Sequence, residues 1–138
     1  MYEDKVTLYN IINGVGYKTV FENVHFEANT GVAVEDTGMK ENDKALCLIP
    51  FSSIEKSKKV YVNYKEFEKM SDEERKTRFT FKSNDKFVLG DIDFDITNVK
   101  PNTIADLERN YVDVYTLSNF IQRKLGNSKI NHFELSGK

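Results

Sequence analysis

The densest set of chemistry-bearing side chains is Asp91-Ile92-Asp93-Phe94-Asp95-Ile96. In an extended chain the three carboxylates share one face and the three apolar residues share the other. Oxygen ligands at that spacing suit Ca²⁺, and a carboxylate pair drawn from the set would suit cleavage of a glycosidic bond. The helical calcium loop needs Gly at its sixth position and Glu at its twelfth, where this chain has Ile96 and Asn102. Nothing selects one carboxylate pair over another. The expectation is a half-buried strand with a solvated acidic face, holding no metal.

Other constellations fail on spacing. Gly14-Val15-Gly16-Tyr17-Lys18-Thr19 looks like a phosphate loop, but that loop needs Lys directly after its second Gly, and here Tyr17 intervenes and Ile11 replaces the first Gly. The dinucleotide fingerprint fails because Thr19 stands where its third Gly belongs. His25 and His132 are the only histidines, and neither has a Cys or His partner at zinc-ligand spacing. The lone Cys47 lies in the apolar run Ala45-Leu46-Cys47-Leu48-Ile49, which reads as a buried strand and excludes an internal disulfide. No G-x-S-x-G nucleophile motif occurs. Lys56, Lys58, Lys59 and Lys65 interleave with Tyr61 and Tyr64, the pattern that grips single strands, but Glu55, Glu66 and Glu68 dilute its charge. No catalytic set, cofactor site or metal site follows from these residues.

The elements that must carry them are mostly strands. Val6 and Leu8 alternate with Lys5, Thr7 and Tyr9, predicting a first strand. Asn13-Gly14 supplies the positive φ angles of a type I′ hairpin turn. The return strand is expected over 17–24, continuing past a bend through Val24-His25-Phe26-Glu27. A short strand at 31–34 precedes an exposed loop, and Leu46–Ile49 ends at Pro50. Further strands are expected at 59–63, 78–82, 86–89, 91–96, 112–117 and 129–135. Ser71-Asp72-Glu73-Glu74 and Thr103-Ile104-Ala105-Asp106 match capping boxes and predict short helices from Asp72 and over 105–110. Residues 64–70 suit helix or strand. Alternation and even spacing predict a mainly β fold, a small antiparallel β-barrel or two-sheet sandwich with one or two short helices in one domain, 1–138. A parallel sheet is not expected, because only one linker could hold a crossover helix.

The chain has 138 residues, the length of one domain. Twenty Lys and Arg oppose twenty-two Asp and Glu, a net charge of −2, so no strong overall field draws it onto nucleic acid or an anionic membrane. The longest uninterrupted apolar run has five residues against the ~20 that a helical span needs. With no secretory signal visible and a reducing-compartment use of cysteine, it is expected to be made in the cytoplasm.

The order of several segments resembles small neck proteins of tailed bacteriophages of Gram-positive hosts. They are Asp4-Lys5-Val6-Thr7-Leu8-Tyr9-Asn10, Tyr17-Lys18-Thr19-Val20-Phe21 through Val24-His25-Phe26, Leu48-Ile49-Pro50, Phe79-Thr80-Phe81, Asp85-Lys86-Phe87-Val88-Leu89-Gly90-Asp91 and His132-Phe133-Glu134-Leu135-Ser136-Gly137-Lys138. The resemblance implies a head-completion or head–tail connector protein, a non-enzymatic virion component. Stopper-type members are β-barrels assembled as a ring, commonly of six copies, between portal or adaptor proteins and tail proteins, with DNA only passing through the channel. A tail terminator or tail-completion protein is the alternative of that kind. A nucleic-acid-binding β-barrel using Lys58, Lys59, Tyr61 and Tyr64 is the alternative of another class, and a small hydrolase drawing on Asp91, Asp93 and Asp95 is a third. Expected partner or channel contacts are Val32, Val34, Thr37 and Met39 in the Gly-flanked loop, with Tyr61 and Tyr64.

Overall fold

The computed structural model describes residues 3–28, 45–123 and 131–138. In chain order the elements are strands β1 (Asp4–Ile12), β2 (Val15–Ala28) and β3 (Ala45–Pro50), helix α1 (Phe51–Ser57), strand β4 (Val60–Tyr61), helices α2 (Tyr64–Lys69) and α3 (Asp72–Arg75), strands β5 (Arg78–Phe79) and β6 (Lys86–Leu89), helix α4 (Ile104–Asn110), and strands β7 (Val114–Arg123) and β8 (His132–Gly137). Six strands close into a barrel in the order β1-β2-β3-β8-β7-β6, with every neighbour antiparallel. The fold is mainly β, as the alternation predicts.

Local chemistry sets the first hairpin. Asn13 and Gly14 take φ of 52° and 82°, the pair of left-handed residues that an I′ turn demands. The register then runs from Ile12↔Val15 to Lys5↔Glu22, and slips so that Asp4 faces Val24. Asn23, left over by the slip, has φ 59°. It forms the expected bend, a bulge that turns β2 from its partner β1 toward β3.

Alternate residues of the ladders fill the lumen: Val6, Leu8, Phe21, Val24, Cys47, Ile49, Phe87, Leu117, Phe133 and Leu135 are all buried. The Pro50 end of the barrel is capped by the excursion 51–85. Phe79 and Phe81 enter the lumen from it, with ring centroids 5.0 Å from Phe21 and 4.9 Å from Phe133 respectively. Phe51, Ile54 and Tyr61 pack on the same cluster. Most of the ten Phe residues of the chain pack in this cluster.

A second, outer core forms on the other face of β1. Tyr9, Val88, Ile96 and Leu107 are buried together, with Ile92, Phe94, Ile104 and Tyr111 packed around them. β1 is therefore covered on both faces, and Val6 through Asn10 are all buried. The predicted first strand forms, and its outward Thr7 and Tyr9 lie under the segment 90–97. Thr7 Oγ1 donates to Gly90 O (2.7 Å), Tyr9 Oη donates to Phe94 O (2.5 Å) and Gly16 N donates to Ile96 O (2.8 Å). A Cβ on Gly16 would sit 2.9 Å from Ile96 Cβ, so only glycine lets the segment lie this close.

Several local expectations change. Residues 91–96 are extended with alternating burial but join no ladder. Their facing pattern was legible, and their pairing was not, because the outer face of a closed barrel offers no strand edge. The strands expected at 59–63 and 78–82 shrink to β4 and β5, which pair in parallel. The one linker able to hold a crossover, 62–77, does hold it. Both capping boxes form, at Ser71 for α3 and Thr103 for α4. α1 and α2 take the helix number beyond the one or two expected. Asn63 caps α2 through its side chain, whereas Pro50 precedes α1 with no side-chain cap, so α1 left no start signal of that kind.

Candidate functional site

The expected contact residues divide. Val32, Val34, Thr37 and Met39 lie outside the described residues. Tyr61 is half-buried, its ring 5.7, 5.7 and 5.1 Å from those of Phe79, Phe81 and Phe133. The ring is thus committed to the packing of the lumen cluster. Tyr64 donates its hydroxyl to Glu68 (2.9 Å), and Lys82 Nζ stands 4.5 Å from its ring centroid. Lys58 ends α1 in the left-handed conformation, φ 63°. Tyr61 and Tyr64 thus belong to different surroundings, the first to the lumen and the second to the surface of α2.

The remaining sequence candidates have structural settings. Cys47 is fully buried, and burial pushes its thiol far above the range in which a thiolate forms. His25 Nε2 lies 2.8 Å from Glu27 Oε1, and His132 Nε2 lies 3.8 Å from Glu134 Oε2. Asp91, Asp93 and Asp95 are exposed on the outward side of the segment that covers β1. Among the described residues no group of three or more His, Cys, Asp or Glu is placed to hold a metal ion.

One open cleft of about 310 Å³ gathers residues from four distant stretches: Gly16, Tyr17 and Lys18 of β2, Lys59 before β4, Asp72 and Lys76 around α3, and Asp95, Ile96 and Thr97 of the outer segment. Tyr17 anchors its floor. Its ring stands edge-on to buried Phe67 at 5.7 Å, its hydroxyl donates to Asp72 (2.8 Å), and Arg75 Nη1 donates to that hydroxyl (3.2 Å). The Tyr17 bond, with Lys76 and Arg75 nearby, holds the Asp72 carboxyl below the usual carboxylate range. On the other wall, half-buried Lys59 donates from Nζ to Lys18 O (2.5 Å) and Thr19 Oγ1 (3.1 Å). Burial first, and the Lys18 ammonium second, lower its pKa from the ordinary lysine value. The sequence pointed to Lys59 within a basic run and to Asp72 within a capping box. No local signal joined them, because the crossover 62–77 and the hairpin at Asn13-Gly14 create the juxtaposition.

A second buried titratable group lies at the seam between barrel and cap. Asp85 is 2% exposed. It accepts from Asn10 Nδ2 at 2.9 Å and from Ile11 N at 3.0 Å, while Asn10 also donates to Thr80 O and accepts from Thr80 N. Desolvation outweighs these bonds and pushes its pKa up to about 6.

A closed six-stranded barrel with a buried carboxyl at its seam and a lysine-walled cleft at its side describes a small β-barrel protein class. Over residues 1–138 the chain matches the model of the family of unknown function DUF6751, and it belongs to that family. No curated protein and no solved structure matches it. Among the described residues no helix is long and apolar enough to cross a membrane.

Proposed function

We propose that this chain is a non-enzymatic structural subunit of a phage neck. In this reading it acts in the virion as a stopper-like or head-completion ring of six copies, between portal or adaptor proteins and tail proteins. The observation that carries the reading is where the family-resembling segments fall. Asp4–Asn10 lies in β1, 17–26 in β2, Leu48–Pro50 in β3, Lys86–Leu89 is β6 and 132–137 is β8. The residues behind the resemblance are thus mostly barrel strands, and a β-barrel is the fold that the resemblance implies. Because the described strands close into a barrel, subunits of such a ring would meet through faces and excursions and not by extending one another's sheets. Exposed Val60, Val99, Val112 and Ile121 are apolar positions available to such heterologous contacts. A net charge of −2 suits a channel that DNA must leave freely. A tail terminator or tail-completion protein is the variant of the same reading.

The test is electron microscopy of particles from a strain lacking the gene. Tailless heads that leak DNA are expected, and complementation by the intact chain should restore joined particles. Normal joined particles in its absence would refute the neck assignment.

A further inference from the structure

The cleft beside β2 holds an electrostatic arrangement that the barrel does not need. Lys18 and Lys59 both line the cleft, Lys59 Nζ is bonded to the Lys18 carbonyl, and the Lys18 charge acts on the Lys59 ammonium. Lys59 is half-buried, and the acceptors of its Nζ are neutral, a backbone carbonyl and a hydroxyl. Neither lysine has a carboxylate ion partner among the described residues. The nearby Asp72 is bonded to Tyr17 and Lys76 instead. Two like charges sharing a partly desolvated wall repel each other, and a bound anion removes that repulsion. Perturbed ionisable groups facing a cleft are a mark of ligand sites.

We propose that this cleft is a binding site for a small oxyanion of the phosphate or carboxylate class, held between the Lys18 and Lys59 ammonium groups. Its volume, about 310 Å³, is at the small end of ligand sites, which run from roughly 300 to 1,000 Å³. Asp72 and Asp95 also line the cleft, and their charges disfavour an extended polyanion such as duplex DNA more than a compact anion seated against the lysines. The cleft would take its anion whether or not the chain assembles into rings.

The probe is inorganic phosphate, titrated into the full chain carrying ¹³C-methylated lysines and followed by NMR, with sodium chloride of equal ionic strength as control. Saturable shifts at Lys18 and Lys59 are expected, with exposed Lys65 and Lys69 following the chloride control. Lys18→Gln should weaken phosphate binding about tenfold, the loss expected for one charge-assisted hydrogen bond. Lys18→Arg should retain it, and amide spectra of both variants should report a folded barrel. Shifts in the wild-type chain that rise linearly and match chloride would overturn the proposal, and this arm does not depend on any variant folding. So would unaltered affinity in a folded Lys18→Gln, or a response of the two lysines to a short DNA duplex but not to phosphate.

Discussion

The lumen and the outer core lie on opposite faces of the same strand, and they are held in different ways. In the lumen, ladders fix the backbone first and alternate side chains then fill the space. Val6, Leu8, Phe21 and Phe87 need only keep their period. The outer core is closed by a segment with no ladder of its own. Residues 90–97 satisfy backbone groups from Lys5, Thr7, Tyr9, Gly16 and Asn102. The ladders of the closed barrel leave few backbone groups free, so a chain crossing its surface takes its bonds from side chains and from single backbone groups of β1 and β2. The lumen should therefore govern global stability, and the outer layer should open locally.

The largest expected effect breaks the lumen. Phe79→Ala removes a fully buried ring that touches Phe21, Tyr61 and Phe81, and is expected to cost about 3–5 kcal/mol. Chemical denaturation should record this as a lower midpoint, with hydrogen exchange accelerated in all barrel strands. Loss confined to residues 51–81 would mean that the cap is not part of the lumen's cooperative unit.

Next comes Asp85, at the seam between lumen and cap. Its folded pKa of about 6 lies above the 3.8 of a free Asp, so the native state holds a proton that the unfolded state has lost. Its contribution is fully present below pH ~4 and is lost as pH rises through about 6, a change on the order of 3 kcal/mol. Asp72 and Asp106, with lowered pKa values, act in the opposite sense and at more acid pH. Stability measured from pH 4 to 7 should fall in the wild-type chain by more than in Asp85→Asn. Parallel profiles would remove Asp85 as the cause.

Tyr9→Phe keeps the ring and deletes the bond to Phe94 O, so about 1 kcal/mol is expected. Faster amide exchange should be confined to residues 91–97 and the start of β2, while the β3–β8 ladder keeps its protection. Uniform acceleration would erase the distinction between the two cores. The smallest effect belongs to Thr103→Ala, which removes the cap of α4 and should cost about 1 kcal/mol or less, with fraying at the α4 start as its readout.

These two cores also mark how far the sequence could be read. Where ladders decide, it was legible: Asn13-Gly14 forms its turn, Leu46–Ile49 is a barrel strand ended at Pro50, and Ser71 and Thr103 cap their helices. Period two at 91–96 gave the right faces and the wrong pairing, since alternation records which side is buried and not what lies alongside. It also could not report that Thr7 and Tyr9 are covered, because both are types that an exposed strand face accepts. The cleft was illegible for a different reason. Lys18, Lys59, Asp72 and Asp95 are separated by at least a dozen residues each, and only the closure of the barrel and its cap brings them to one place.

The central claim, a ring subunit at the head–tail junction, is tested most directly by cryo-electron microscopy of the neck in intact purified particles. The account predicts a ring of six barrels between portal and tail, into which this fold fits strand for strand. A neck filled entirely by other chains, in particles that lack this one, would contradict it.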